Sequence, residues 1–148
     1  MNLEHAMNKL TGSRLALMAV FVLAVGVVLA IRSTREPVSV LKGCFHTVAH
    51  NGTGCAAIER QTDGKYRIEL TDIELQPSPG LEVLLSSAPD AFENDAVRAS
   101  ATISLGEIQP PIRFKTVELP DGIDLSHFHS LTIWNTKYHV NFITAPLR

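Results

Sequence analysis

Two cysteines are the residues of this chain best suited to redox chemistry. Cys44 and Cys55 are the only cysteines among its 148 residues. In an oxidising compartment such a pair commonly forms a structural disulfide, which is the simplest interpretation, whereas strained or exposed bridges are the ones that exchange electrons. The pair is therefore compatible with a structural bridge, with a labile redox-active bridge, or with free thiols where the compartment permits them.

The turn between the cysteines decides whether they can meet. Asn51-Gly52 is the strongest short hairpin signal in the chain, and a two-residue turn there pairs Cys44 with Glu59. The cysteines would then lie roughly 13 Å apart along the strands, beyond the Cα separation of about 7 Å that a bridge allows. A disulfide therefore requires a different register, centred on Ala49-His50, or a bulged loop.

Two histidines are weak candidates for binding a metal or a haem edge. His127 and His129 precede a late predicted strand, and residues two apart on a strand share a face. A metal site needs three or four converging ligands, and the sequence does not bring the other histidines to these two. No cofactor is therefore required by the sequence.

Composition and motifs exclude several classes of function. Residues 37–148 carry nine Lys or Arg and thirteen Asp or Glu, and such an acidic balance does not fit a nucleic-acid-binding domain. The sequence contains no HExxH, GxSxG, phosphate-binding or dinucleotide-binding motif. Asp121 and Asp124, beside Pro120 and Gly122, are predicted to be turn residues. The chain is therefore not expected to be a stand-alone enzyme.

An apolar segment near the N-terminus predicts a membrane anchor. Residues 15–31 contain no charged side chain, and this length is at the short end of what spans a bilayer. An uncleaved anchor is favoured over a cleaved signal peptide, because a cleavage site ending at Ala30 would require a small residue where this chain has Val28. A buried soluble helix is a third possibility. Basic residues flank the segment on both sides, and we expect the N-terminus inside the cytoplasm because the cysteines fit an exported domain.

The remainder of the chain predicts one small all-β domain. We expect a cytoplasmic N-terminus at 1–14, the anchor at 15–31, a linker at 32–40 and an antiparallel β-sandwich at 41–148. Short β-like segments alternate with turn residues, as in a sandwich or barrel of about eight strands. The predicted strands are Lys42–Ala49, Gly54–Arg60, Lys65–Asp72, Leu81–Ser86, Thr102–Ile108, Ile112–Leu119, Leu131–Asn135 and Tyr138–Ile143.

The sequence also predicts a surface loop and a set of core residues. Ala88–Ala99 holds a proline and four charges, and we expect a loop there with one helical turn. The last predicted strand should place Tyr138, Val140 and Phe142 on one face. The candidate core residues are Trp134, Phe114, Phe128, Phe142, Leu84 and Ile133.

Several segments in this order resemble the DM13 domain, a small β-rich module proposed to take part in electron transfer. They cover nearly all of residues 42–147 and include the motif positions Gly43, Phe45, His50, Gly54, Gly80 and Trp134. The segments are Gly43-Cys44-Phe45 with His50 and Gly54; Leu70–Ile73; Pro79–Ser86; Leu105–Ile108; Leu119-Pro120; Phe128–Trp134; and Phe142, Ala145 and Leu147.

The resemblance implies a redox residue that this chain lacks. In the DM13 family a cysteine directly follows the tryptophan, and here that position is Asn135, which cannot cycle electrons or form a disulfide. The family's Gly-Pro also stands inverted as Pro79-Gly80. The predicted anchor and the cysteines place the domain on the membrane outside the cytoplasm, and the resemblance adds an accessory role associated with electron transfer, with an envelope or redox protein as partner. The alternative is a non-catalytic interaction module of the cell envelope with a structural disulfide.

Overall fold

The computed structural model describes residues 37–148, and the predicted N-terminus at 1–14 and anchor at 15–31 lie outside them. Within residues 37–148 the structure has no helix with the length and apolar character needed to cross a membrane. The regular secondary structure of these residues consists almost entirely of strands, as the sequence predicts.

Nine strands, one short helix and one 3₁₀ turn make up this part of the chain. Helix α1 is Asn94–Ala99, within the predicted surface loop, and the 3₁₀ turn is Leu125–His127. The strands are β1 Val38–Cys44, β2 His46–Thr47, β3 Gly52–Arg60, β4 Tyr66–Leu75, β5 Leu81–Ser86, β6 Thr102–Glu107, β7 Ile112–Glu118, β8 Ser130–Asn135 and β9 Val140–Pro146.

The strands form two antiparallel sheets with the main core between them. One sheet has four strands in the order β1-β3-β4-β7, and the other has five in the order β2-β9-β8-β5-β6. Apolar side chains from both sheets form one buried cluster, which includes Ile58 and Ile68 from the first and Leu85 and Ile133 from the second. This arrangement confirms the predicted antiparallel β-sandwich.

The alternation of residues along β4 shows why these segments form strands. Ile68 and Leu70 are fully buried, whereas Arg67 and Glu69, which alternate with them along the strand, point away from the core. Because successive side chains of a strand point to opposite faces, one face of β4 lies on the core and the other meets solvent. The four-stranded sheet therefore has an open outer face.

The predicted two-residue turn at Asn51-Gly52 is wrong. The chain leaves the four-stranded sheet after Cys44, buries Phe45, and forms β2, which pairs with β9 in the other sheet. Backbone hydrogen bonds beyond β2, such as that from the Val48 N–H to the Phe142 carbonyl, also hold this segment against β9. The segment between β1 and β3 is thus a corner joining two sheets, and a hairpin turn would forfeit these contacts.

Several strand boundaries also differ from the expectation, and nine strands replace the predicted eight because Lys42–Ala49 is divided between β1 and β2. β1 begins at Val38, inside the segment predicted as linker. The last strand begins at Val140, because His139 adopts a positive φ of 54° in the preceding turn, and Tyr138 is exposed. The predicted two-faced alternation fails there as well, since every residue from 141 to 145 is buried.

The predicted core is correct in part. Phe142 and Ile133 lie in the main core, and Phe128 packs at its margin. Trp134 and Leu84 are buried in a second cluster, where Ala91 and Val97 cover the outer face of the five-stranded sheet. Phe114 was wrongly predicted as core: it lies on the open outer face of the four-stranded sheet and is 61% exposed.

Gly43 allows β1 to approach the end of β9. A Cβ added at Gly43 would lie 2.0 Å from the Pro146 carbonyl oxygen, which belongs to the backbone and cannot rotate away. Lys42 and Arg148 exchange two backbone hydrogen bonds at 2.9 and 3.0 Å, so β1 is tied to the chain just beyond β9. The resemblance picked out this glycine, and close packing gives the physical reason for it.

We expect Gly43→Ala to lower the free energy of unfolding by about 2 kcal/mol or more, because the backbone must shift to accept the methyl group. Chemical denaturation monitored by tryptophan fluorescence would measure the loss. Ser39→Ala, an exposed change on the same strand, is the matched control. Equal stability of the two variants would contradict the close packing of Gly43.

Candidate functional site

The two cysteines form a disulfide between neighbouring strands. Cys44 on β1 pairs directly with Cys55 on β3, and their Cα atoms are 3.9 Å apart. This is the register centred on Ala49-His50, which the sequence left open as the route to a bridge. Both cysteines are exposed on the outer face of the four-stranded sheet.

A bulge and a glycine precede the bridge on β3. The pairing of β3 with β4 shifts between Thr53 and Cys55, and Gly54 between them has a φ of 132°, which other residues rarely adopt. A Cβ at Gly54 would also lie 2.5 Å from the Ile73 side chain. The glycine therefore permits the irregular backbone immediately before Cys55.

Side chains around the disulfide form two rows across the sheet. Strand pairing places Cys44, Cys55, Thr71 and Phe114 side by side on β1, β3, β4 and β7. The adjacent row, two residues along each strand, is Lys42, Ala57, Glu69 and Thr116.

A surface groove of about 670 Å³ opens over the bridge. Its lining includes both cysteines together with Ala57 and Thr71, which are small, while Lys42 also borders it. Because the side chains of Ala57 and Thr71 are short, the surface is depressed beside the disulfide, and both cysteines are exposed there.

The charges bordering the groove are not equally compensated. Glu69 and Arg148 line the groove together with Lys42. Arg67 bridges Glu59 at 3.1 Å and Glu69 at 3.0 Å, so the Glu69 carboxylate is paired with a cation. Among residues 37–148, neither Lys42 nor Arg148 forms an ion pair. The groove therefore has basic side chains available to an incoming group.

The two candidate metal-binding histidines do not share a strand face. His127 ends the 3₁₀ turn, whereas His129 lies just before β8, and both are exposed. His127 lies 3.3 Å from Asp124, whose pKa is lowered because Ser126 donates its side-chain hydroxyl and its backbone N–H to the carboxylate. Within the described part of the chain, no three metal-ligating side chains are grouped to hold an ion.

His46 and His50 pack at the corner between the sheets. The His46 Nε2 atom lies 2.7 Å from Asp90 Oδ1, and the His46 ring stacks on Phe92 with centroids 4.5 Å apart. His50 packs on Phe142 at 3.9 Å. His46 thus attaches the corner to the loop before helix α1, and His50 attaches it to β9, so packing accounts for both histidines.

Asn135, after the tryptophan, is a buried structural residue. Its Oδ1 accepts hydrogen bonds from the backbone N–H groups of Lys137 and Tyr138, each at 3.0 Å. Its Nδ2 donates to Ser78 Oγ at 3.0 Å and to the Pro79 carbonyl at 3.1 Å. Asn135 thus holds the turn between β8 and β9 against the segment that precedes β5.

Gly80 also contacts the β8–β9 turn. It directly precedes β5 of the five-stranded sheet, whereas the disulfide groove lies on the four-stranded sheet. The backbone N–H and the hydroxyl of Thr136 both donate to the Gly80 carbonyl, at 2.8 and 3.1 Å. Trp134 is buried beneath helix α1 on the five-stranded sheet. The motif positions therefore separate into a group near the disulfide and a group at the β8–β9 turn.

Sequence reasoning missed most of the groove. Thr71 and Phe114 become neighbours of the cysteines only through the register of β3, β4 and β7. The alternating charge of Lys65–Asp72 could have placed Glu69 on the wet face, but nothing local indicated its distance from Cys55. Arg148 lines the groove only because the residues after β9 lie beside β1, where Arg148 and Lys42 exchange backbone hydrogen bonds.

We expect replacement of both cysteines by serine to leave the domain folded but to lower the free energy of unfolding by about 2–3 kcal/mol, as a short closed loop is released in the denatured state. Denaturant unfolding of the full chain with and without reductant would measure this loss. The reduced wild type should match the double variant. A variant that does not fold would show that the bridge is indispensable to the structure.

We expect Asn135→Ala to lower the free energy of unfolding by about 2–3 kcal/mol, because it removes four hydrogen bonds and leaves partly buried partners unsatisfied. Thermal and denaturant unfolding would test this, with the exposed neighbour Lys137→Ala as control. A loss no larger than that of the control would contradict the structural role of Asn135.

Comparison with known proteins identifies the domain. No curated protein and no solved structure matches the chain. A family model described as electron transfer DM13 matches residues 44–147, from the first cysteine of the bridge almost to the last residue. This match covers more than two thirds of the chain and includes both the disulfide groove and the β8–β9 turn. The chain belongs to the DM13 family.

Proposed function

We propose that this chain is a membrane-anchored, extracytoplasmic accessory domain associated with electron transfer. The family it belongs to supports a role related to electron transfer. The observation that carries the proposed location is the disulfide between Cys44 and Cys55, because such bridges persist in oxidising compartments and are rare in the cytosol.

The anchor is the apolar segment at residues 15–31. With the N-terminus in the cytoplasm, a spacer after residue 31 leads to β1 at Val38 on the other side of the membrane. We expect the partner to be a protein of the cell envelope.

A second candidate function is supported by Asn135. At the position where the resemblance expects the family's cysteine, its amide makes four hydrogen bonds that hold a turn. An amide side chain carries no electrons, so a chain built this way also suits a binding module with a structural disulfide. The two candidates differ in whether anything in the chain accepts electrons.

Expression of the full chain in a bacterial host tests the location. We expect it in the membrane fraction after an alkaline wash, at the mass of the uncleaved chain, with no thiol available for alkylation before reduction. Protease added outside the inner membrane should digest the β-sandwich. Removal of residues 15–31 is the matched control and should leave the domain inside with reduced cysteines.

Two results would contradict this proposal. A soluble exported product of shortened mass would show a cleaved signal peptide in place of an anchor. Free thiols in the full-length chain, together with protection from external protease, would place the domain in the cytoplasm.

A further inference from the structure

We propose that the Cys44–Cys55 disulfide is a thiol–disulfide exchange site that accepts two electrons from an envelope protein carrying an anionic dithiol. This inference rests on the proposed electron-transfer association and names the group that takes the electrons. It assigns that role to the cysteine pair of the groove, which is distant in the fold from the turn held by Asn135.

Accessibility is the first requirement for exchange, and the bridge meets it. A thiolate must reach a sulfur atom directly, and exposed disulfides are the ones that react. Cys44 and Cys55 are exposed, and the groove above them is bordered by Ala57 and Thr71, whose side chains are short. By contrast, a bridge buried between the sheets would open only when the domain unfolds.

The surrounding strands keep the two sulfur atoms together after reduction. Directly beside the bridge, the Phe45 N–H donates to the Gly54 carbonyl at 2.8 Å. On its other side, Lys42 and Arg148 exchange backbone hydrogen bonds, and β1 pairs with β3 back to Val38. The reduced cysteines therefore remain neighbours, and the bridge can reform within the folded domain.

The exchange balances in electrons and protons. One partner thiolate attacks a sulfur of the bridge, forming a mixed disulfide and releasing the other cysteine as a thiolate. The partner's second thiolate then attacks the partner's sulfur atom of the mixed disulfide, which releases the second cysteine of this chain as a thiolate. The partner ends as a disulfide, and Cys44 and Cys55 take up two electrons and, once protonated, two protons.

Charge at the groove favours an anionic partner. Lys42 is two residues before Cys44 on the same face of β1, about 7 Å along the strand, so its ammonium can reach the sulfur atoms. Its charge has no ion-pair partner in residues 37–148, whereas Glu69 is paired with Arg67. A nearby cation also stabilises a thiolate, which aids both the attacking and the departing sulfur.

Phe114 offers the partner an apolar contact. It lies two strands from Cys55 in the same row, about 10 Å away at the usual spacing of strands, and is 61% exposed. Because most of its surface is exposed, the Phe114 side chain contributes little to the core and is free to contact a partner. Lys42 thus offers a basic contact beside the bridge, and Phe114 offers an apolar contact two strands away on the same face.

The test uses the oxidised full chain in neutral detergent micelles, with glutathione and cysteamine as anionic and cationic thiol probes. Each rate of opening is divided by the rate at which the same thiol reduces hydroxyethyl disulfide, which carries no charge. We expect the corrected rate to favour glutathione by about fivefold at low salt, as for charges about 7 Å apart in water. Circular dichroism should show that the domain stays folded.

Lys42→Gln should lower this preference to about twofold or less, whereas Lys137→Gln, the same change at the distant β8–β9 turn, should leave it unchanged. A bridge that opens only as fast as the domain unfolds would overturn the exchange site. If the bridge opens rapidly but shows no preference for glutathione, or if Lys42→Gln leaves that preference unchanged, the proposal of an anionic partner is wrong.

A separate measurement distinguishes failure of this inference from failure of the proposed function. If the bridge is inert but the full chain purified from membranes carries a visible chromophore that dithionite reduces, the electron-transfer association stands and the exchange site fails. If the bridge is inert and no chromophore is present, both fail, and the chain is an interaction module.

Discussion

The corner that follows Cys44 is the constraint on which the rest of the structure depends. Burial of Phe45 and pairing of β2 with β9 take the chain from one sheet to the other. Because this corner occupies the residues between β1 and β3, those strands pair in the register that sets Cys44 opposite Cys55. Gly43 lets β1 approach Pro146 closely enough to close the same edge. One packing arrangement thus fixes both the sandwich and the position of the bridge.

The two sheets have different outer faces, and this difference locates the candidate site. Ala91 and Val97 cover the outer face of the five-stranded sheet, where they bury Trp134 and Leu84. Over β1, β3 and β4 of the four-stranded sheet, the outer face instead carries the exposed disulfide, its groove and the paired charges of Arg67. A partner can therefore reach sulfur on one side of the sandwich, whereas the tryptophan on the other side is enclosed.

Asn135 has a structural role at the position where the DM13 resemblance expects a redox-active cysteine. Four hydrogen bonds from one buried amide join the β8–β9 turn to the segment before β5. Asparagine suits this place because it donates and accepts at once, whereas a thiol does both only weakly. If electrons pass through this member of the DM13 family, the cysteine pair of the groove is a separate route, at the opposite sheet.

The sequence by itself determined the all-β class, the strands of alternating residues such as Tyr66–Leu70, and the importance of the two cysteines, because these depend on local periodicity and residue chemistry. It failed at Asn51-Gly52, where contacts with β9 outweigh a strong turn preference, and at Phe114, where size suggests burial but the register of β7 points the ring outward. Only the tertiary structure decided that the cysteines meet, that they are exposed, and that Lys42 lies beside them. Those facts depend on pairings between distant strands, which no local pattern of residues specifies.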